Sequence, residues 1–219
     1  MLQKLKKFLE GPLDAARRRR NLIVFFAATH IVFLLLGQWM LAQKIPGAMF
    51  LREEQLKMIQ DLPFLQPLTG TLADSLVLKI LYTFIFNLVF GAFLSTTLMG
   101  LVFFLPYVIA VWRSFIIGIL VYGIDIAPFK LIVFYGTFIL EFGAYSLSSV
   151  VGTDIGLSLI WPARKGTQSR KEAFLISLRD GRRLYVLVML MLVIAAVWEM
   201  GWIQYFGPFL INPASAATP

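Results

Sequence analysis

Long apolar runs separated by short polar segments are the main pattern of this chain. A helix needs about 20 apolar residues to cross roughly 30 Å of hydrocarbon. Five runs are long enough, at residues 21–42, 76–100, 103–123, 131–160 and 184–206. The first run is too long for a secretory signal and no small-x-small cleavage site follows it, so we interpret it as a span. The pattern predicts an all-α, polytopic membrane helical bundle with five transmembrane helices.

Three shorter stretches predict interfacial amphipathic helices beside this bundle. In residues 1–20, leucines recur near helical spacing and lysines lie elsewhere, which is typical of a helix attracted to anionic lipid. Residues 48–61 lie between prolines and could rest on the outer membrane surface. Ser169 and Glu172 have the spacing of a capping box that begins a third helix, and Gly181 is expected to end it.

The composition excludes a soluble or a disordered protein. Hydrophobic residues make up 59% and charged residues 15% of the 219 residues, and the mean hydropathy is +0.79. Too little polar surface remains to cover a soluble globule, and disorder needs the opposite composition. The chain has no cysteine and one histidine, which excludes disulfides, thiolate metal sites and multi-histidine sites within one chain. We therefore expect no metal and no cofactor.

The net charge of +8 is concentrated in two islands beside apolar runs. Residues 1–20 and 163–183 together hold fourteen of the twenty basic residues. This is the positive-inside pattern of a membrane protein rather than a nucleic-acid footprint, so we predict two cytoplasmic islands and no nucleic-acid partner. The residues assigned to this basic surface are Arg17, Arg18, Arg19, Arg20, Arg164, Lys165, Arg170 and Lys171.

Orientation follows from these islands. Residues 1–20 become a cytoplasmic segment, residues 21–206 the five-span domain, and residues 207–219 an extracytoplasmic tail, in the cell inner (plasma) membrane. Pro106 together with Trp112 and Arg113 favours a cytoplasmic turn between the second and third runs, because Trp prefers the interface and Arg the inside.

Four polar residues lie inside the apolar runs, and their presence there has to be explained, because burying a charge in a bilayer costs on the order of 3 kcal/mol or more. They are Asn87, Glu141, Glu199 and His30. Their distances from the run ends, at about 1.5 Å per residue, would let them occupy one central layer of the bundle. No basic residue shares this layer unless Arg113 reaches it from the cytoplasmic side.

Two interpretations of this intramembrane cluster stay open. Glu141 and Glu199 could handle a proton or a cation, with Asn87 and His30 assisting. Alternatively, each group forms a hydrogen bond to a neighbouring helix and fixes the packing of the bundle.

The fourth run carries a small residue at every fourth position, namely Ala144, Ser148, Gly152 and Gly156. Such a stripe lets another helix approach closely. The partner helix could belong to the same chain or to a second copy, so a homodimer is one expectation.

Catalytic motifs are absent from the sequence. We find no Gly-rich phosphate loop, no H-E-x-x-H and no G-x-S-x-G. Asp154 lies near Ser146, Ser148 and Ser149, but no histidine is placed to complete a triad. We therefore expect no catalytic residues and no enzymatic activity.

Several short patterns recur in the order found in a known membrane-protein family. They are Asn87 followed by Gly91 and Gly100, Phe-Ile-Ile-Gly-Ile-Leu at 115–120, Leu140-Glu141 followed by small residues toward Gly152, and Ala-Ala-Val-Trp-Glu at 195–199. Through them, residues 76–201 resemble the stage II sporulation protein M family, although Trp112-Arg113-Ser114 stands where that family commonly has an Asn-Gly pair. The resemblance implies a five-helix membrane protein with two acids in its late spans and a scaffold role in a membrane complex.

These expectations favour a non-enzymatic integral membrane subunit or scaffold that organises a membrane protein complex at or near the cell envelope. Its partners would be the lipid bilayer, other membrane proteins and, as a homo-oligomer, a second copy of the chain. The alternative is a cation- or proton-coupled transporter or channel-like protein that uses Glu141 and Glu199.

Overall fold

The computed structural model describes residues 2–60, 63, 66–72, 74–123 and 128–206. Over these residues the protein is all-α and has no strand. The α-helices are α1 (Leu2–Arg18), α2 (Arg20–Ala42), α3 (Pro46–Gln60), α4 (Gln66–Thr69), α5 (Leu76–Phe86), α6 (Leu105–Val121), α7 (Pro128–Ile160) and α8 (Arg170–Phe206). The predicted end of the helix at residue 61 and the tail at 207–219 lie outside the described residues.

Four helical segments have the length and composition to cross a membrane, which confirms the all-α membrane-type bundle. They are Arg20–Ala42, Leu76–Leu101, Leu131–Ile160 and Arg170–Tyr205. The second of these continues from α5 through a π-helical segment, Asn87–Leu98, and a short 3-10 turn, Met99–Leu101. The remaining apolar run forms α6, whose 17 residues extend for about 25 Å at 1.5 Å per residue.

The five apolar segments alternate in direction along the chain. Residue numbers rise together in contacts between parallel helices and in opposition between antiparallel ones. Helix α2 is parallel to α6 and antiparallel to α7; the α5 segment is parallel to α7; and α8 is antiparallel to α7. The contacts that set these directions are Phe25–Tyr107, His30–Ser114, Arg19–Asp154, His30–Phe142, Asn87–Glu141, Gly100–Gly152, Val133–Trp198 and Val151–Gly181.

Local signals explain several helix ends. The Ser75 side chain accepts a hydrogen bond from the Leu78 amide and caps α5. Pro106 stands in the first turn of α6, where its missing amide hydrogen costs nothing. After α7, Pro162 begins a 3-10 turn that ends at Gly166 with φ +72°, a left-handed conformation that favours glycine.

The predicted break at Gly181 is wrong, because α8 runs without interruption for 37 residues. Gly181 instead faces α7, where an added Cβ would lie 2.8 Å from Cγ1 of Val151. The glycine therefore permits close packing of two helices and does not end one. The capping box is half confirmed: the Glu172 amide donates to Ser169 Oγ at 3.3 Å, but the Glu172 carboxylate accepts a hydrogen bond from Thr167.

The predicted position of Trp112 and Arg113 at a turn is also wrong. The turn between the second and third apolar segments lies at residues 102–104, and α6 begins at Leu105. Trp112 and Arg113 therefore lie two turns inside α6. Pro106 lies in the first turn of α6, so it marks the turn, whereas Trp112 and Arg113 lie further along the helix and do not.

The core lies where α7 and α8 pack along their length, around the fully buried Val150, Val188 and Leu192. Large apolar side chains around the outside of the bundle stay exposed, as lipid contact requires. The amphipathic α1 packs against the start of α8, with Ala15 fully buried. Helix α3 packs against the C-terminal half of α6 through Ala48. Two of the three predicted interfacial stretches therefore form separate helices docked on the bundle, and the third forms the first part of α8.

Candidate functional site

The intramembrane cluster is built around Glu141, which α7 places opposite the start of the π-helical segment. Asn87 Nδ2 donates a hydrogen bond to Glu141 Oε1 at 2.5 Å. The two residues face each other because the segments are parallel, so residue 87 is level with 141 and residue 91 with 145. Asn87 and Glu141, two of the four residues expected in one layer, are therefore level with each other and joined by a hydrogen bond.

Arg113 is the member of this cluster that the sequence did not assign. Its guanidinium lies over the ring of Tyr145, 4.2 Å from the ring centroid, and donates to Ser95 Oγ at 2.8 Å and to the Gly91 carbonyl at 3.3 Å. It also lies within electrostatic range of the Glu141 carboxyl group. The sequence carries a signal for this position, since Arg113 lies seven residues after a helix-starting proline, although the pair 112–113 also fits a turn at the interface.

Gly91 makes room for this arrangement. An added Cβ on Gly91 would lie 2.8 Å from the Tyr145 hydroxyl and ring. Because that space stays open, the aromatic ring can lie under the guanidinium while the Gly91 carbonyl accepts from it. An aromatic ring beneath a cation is attractive, and more so where water is excluded.

The π-helical turn in this region follows from two hydroxyl side chains. Ser95 Oγ donates to the Gly91 carbonyl at 2.6 Å, and Thr96 donates to the Ala92 carbonyl. Such bonds to the carbonyl four residues earlier compete with the backbone amide for the same acceptor. A wider turn satisfies both donors, and π-helical turns are frequent at functional sites.

Glu199 of α8 lies close enough to Glu141 for the two carboxyl groups to interact electrostatically. The cluster therefore holds two carboxyl groups, from Glu141 and Glu199, and one guanidinium, from Arg113. If both acids were ionised, one negative charge would stay without a basic partner. The site consequently favours either one neutral carboxyl group or an added cation.

His30 lies beside this cluster and bonds elsewhere. Its Nδ1 is 2.6 Å from Ser114 Oγ, and its ring packs edge-on against Phe142 at 4.7 Å. Its Nε2 is buried and has no hydrogen-bond partner among the described residues. The structure thus brings Asn87, Glu141 and Glu199 together. It places His30 against Ser114 and Phe142, which follow Arg113 and Glu141 in the sequence.

The small-residue stripe of α7 packs inside the chain. Gly152 and Gly156 lie directly against the end of the second apolar segment: an added Cβ on Gly152 would be 2.6 Å from the Thr96 carbonyl, and one on Gly156 would be 2.1 Å from that of Gly100. Ser148 Oγ is 2.7 Å from Thr96 Oγ1, and Ala144 is fully buried. The stripe is therefore occupied by an intramolecular neighbour and is not available to a second copy.

The two basic islands meet at one end of the bundle, where α2 begins and α7 ends. Arg19 contacts both Asp154 and Asp180 at 3.2 Å, Arg18 contacts Asp180 at 2.8 Å, and Lys165 contacts Asp154 at 2.6 Å. The side chain of Lys165 is only 8% exposed. Burial lowers the pKa of Lys165, and the hydrogen bond to Asp154 opposes that shift.

The remaining basic residues of this end stay in solvent. Arg17 pairs with Asp14 on the surface of α1, and Arg20, Arg164, Arg170 and Lys171 are exposed with no acidic partner among the described residues. Sequence analysis placed the two islands on one side of the membrane, and the structure places them at one end of the bundle. The acidic residues that join them, Asp154 and Asp180, were not assigned this role.

Within the described part of the chain, no three side chains of His, Cys, Asp or Glu converge as metal ligands would. A cavity of about 450 Å³ on the outer face of α6 reaches Arg113, and neither Glu141 nor Glu199 is among the residues that line it.

Fold and site together define an all-α bundle of the multi-pass membrane class, with a polar cluster among its apolar helices and a basic end. Comparisons with protein-family models, with curated proteins and with solved structures gave no match. The resemblance to the stage II sporulation protein M family accordingly stays a prediction.

Proposed function

We propose that this protein is an inner-membrane subunit that crosses the bilayer five times and organises a membrane protein complex without catalysing a reaction. The alternating directions of the five apolar segments support five crossings. The convergence of both basic islands at one end supports a cytoplasmic assignment for that end under the positive-inside rule.

The observation that carries this proposal is the pairing of polar groups between helices. Asn87 with Glu141, His30 with Ser114, Lys79 with Gln204, and Thr96 with Ser148 each join two different segments. Pairs of this kind fix helix packing in a medium that offers no water. A bundle held in one arrangement by such pairs suits a subunit that presents fixed surfaces to partners.

The basic end provides the charged surface for such partners. Arg170 and Lys171 are exposed at the start of α8 and have no acidic partner among the described residues. Acidic partner segments would be attracted to them and oriented by them. The resemblance to a family that implies a scaffold role agrees with this assignment.

Purification in mild detergent tests the proposal. The tagged wild-type protein is expected to retain a second membrane protein in fixed stoichiometry, and the double substitution Arg170→Gln with Lys171→Gln is expected to weaken that association. Arg17→Gln, which removes a single exposed charge elsewhere on the basic end, is the control and is expected to retain it. Recovery of the bare monomer, after crosslinking in intact membranes as well, would contradict a scaffold role.

A second function is favoured by one observation, the excess of carboxyl groups over cations in the intramembrane cluster. A proton or cation bound by Glu141 and Glu199 would balance that charge. Flux measurements in liposomes separate the two functions: a transporter loses cation- or proton-dependent flux in Glu141→Gln, whereas Glu53→Gln, on the exposed surface of α3, leaves it unchanged. Absence of flux in the wild-type protein would remove this alternative.

A further inference from the structure

A basic pocket lies at the end of the bundle where α1, α2, α7 and the 3-10 turn after α7 meet. It has a volume of about 280 Å³. Its walls combine charged side chains with the apolar side chains of Leu22 and Leu157. A pocket of this volume accommodates a small polar group, and its apolar wall continues into the first turns of a membrane-type helix.

The pocket carries more positive charge than its acidic neighbours neutralise. The six basic side chains that line it are Arg17, Arg18, Arg19, Arg20, Arg164 and Lys165. The carboxylates that contact them are those of Asp14, Asp154 and Asp180. A formal excess of three positive charges is left, and Arg20 and Arg164 have no carboxylate partner among the described residues.

Residues that line the pocket carry hydrogen-bond donors without acceptors. Arg19 Nε is buried and has no partner among the residues described. Helix α2 begins directly after Arg19 with no side-chain cap, and its first three residues, Arg20, Asn21 and Leu22, line the pocket. The amides of a helix's first turn lack acceptors within the helix and favour an anion. Side-chain cations and backbone donors thus converge on one volume.

The chemistry of these donors selects a phosphate group. Guanidinium groups match the oxygens of phosphate with paired hydrogen bonds, and a tetrahedral anion can accept from several directions at once. A carboxylate would satisfy fewer donors in the same volume. The three-charge excess also suits a group that carries one or two negative charges at neutral pH.

We propose that this pocket is a binding site for a phosphate group, carried by the headgroup of an anionic membrane lipid or present as a soluble ion. The apolar wall at Leu22 and Leu157 lies where the headgroup region would be if α2 crosses the bilayer as proposed above. Binding of a lipid phosphate depends on α2 crossing the bilayer as proposed, whereas binding of soluble phosphate does not.

Two probes distinguish the sources on delipidated wild-type protein. Native mass spectrometry measures binding of dioleoylphosphatidylglycerol, with zwitterionic dioleoylphosphatidylcholine as the comparison lipid. Isothermal titration measures binding of inorganic phosphate at constant ionic strength against chloride. Selective retention of phosphatidylglycerol supports the lipid source, and saturable phosphate binding supports the soluble source.

The variant Arg20→Gln with Arg164→Gln tests the location of the site. These two arginines have no carboxylate partners to disrupt, so the fold is expected to persist. We expect at least a tenfold loss of affinity for the probe that binds, because each removes a charged donor. The matched control, Arg170→Gln with Lys171→Gln, removes the same amount of charge from the same end of the bundle outside the pocket and is expected to retain affinity.

Three results would overturn the proposal: neither probe binds the wild-type protein, the pocket variant binds as tightly as the wild type, or the control variant loses as much affinity as the pocket variant. If the pocket variant does not fold, the wild-type measurements decide between support and rejection. The proposal stands apart from a scaffold role, because phosphate binding is measured on the isolated protein and does not depend on any partner being found.

Discussion

Asp154 is one of the two acidic residues, with Asp180, on which the ion pairs of the basic end converge. It contacts Lys165 at 2.6 Å and Arg19 at 3.2 Å, and its side chain is 10% exposed. Partly buried pairs of this kind contribute little when intact, but they cost much when one partner is removed, because the other charge is left buried. The network therefore depends on its acids more than on any one of its bases.

Asp154→Asn is expected to destabilise the protein by about 2–4 kcal/mol, because Lys165 and Arg19 lose their shared carboxylate. Arg17→Gln breaks only the surface pair with Asp14 and should change stability by about 0.5 kcal/mol or less. Unfolding in mixed micelles of dodecylmaltoside and SDS measures both. Equal stability of the two variants would contradict the expected cost of leaving Lys165 and Arg19 without the Asp154 carboxylate.

Two lysines outside the membrane segments, Lys165 and Lys57, should have pKa values on opposite sides of 10.5, the ordinary pKa of lysine. Burial lowers the pKa of Lys165, with Asp154, Asp180 and Arg19 facing it, whereas the hydrogen bond to Glu54 raises the pKa of Lys57. NMR of 13Cε-labelled lysine, assigned by Lys165→Arg and Lys57→Arg, measures both midpoints. A Lys165 midpoint at or above that of Lys57 would contradict the burial of its ammonium group.

The two shifts have opposite consequences for stability. The unfolded chain binds more protons at Lys165 between the lowered pKa and 10.5, so the contribution of Lys165 to stability increases as the pH rises through that window. For Lys57 the contribution is fully present below 10.5 and is lost as the pH rises through its raised pKa.

At the scale of helical elements, close backbone contact between α7 and the second apolar segment is the main feature. Gly100 and Gly152 approach so closely that an added Cβ on Gly100 would lie 2.1 Å from the Gly152 carbonyl carbon. Thr97 Oγ1 also donates to the Ser148 carbonyl at 3.0 Å. Small residues thus hold two parallel helices together inside one chain.

Gly152→Ala is expected to cost about 1–3 kcal/mol, since the new methyl group meets backbone atoms that cannot move aside easily. Gly201→Ala is the matched control, because nothing lies within 4 Å of its added Cβ and alanine favours a helix by up to about 1 kcal/mol. Thermal aggregation of detergent-purified protein measures both. A neutral Gly152→Ala would contradict the close contact.

The sequence predicted helices well because their signal is local. Runs of apolar residues gave the ends of α2 and of the α5 segment to within a residue. Gly181 and Arg113 were misassigned because a glycine can end a helix or permit close packing, and an arginine can lie at the membrane interface or inside the bundle. Which role applies depends on the neighbouring helix. Val151 lies opposite Gly181, and Tyr145 opposite Arg113. The pattern along one segment carries no information about these partners.

At the scale of the whole molecule, the ion pairs constrain topology. Arg19 begins α2, and Asp154 and Asp180 lie near the end of α7 and the start of α8. Contacts between them require residues 17–20 and 163–169 to lie on the same side of the bilayer. That condition holds only if the number of crossings between these positions is even. If the other three segments between them cross, we therefore expect α6 to cross too, although it is shorter than the other four segments.

Cysteine labelling tests this condition, because the chain has no cysteine of its own. Gln168→Cys, exposed between α7 and α8, should react with a membrane-impermeant maleimide only after permeabilisation. Glu53→Cys, exposed on α3, should react in intact cells and shows that the reagent has access. Reaction of both variants in intact cells would mean that one of the three segments between residues 53 and 168 does not cross, and would contradict the crossing by α6.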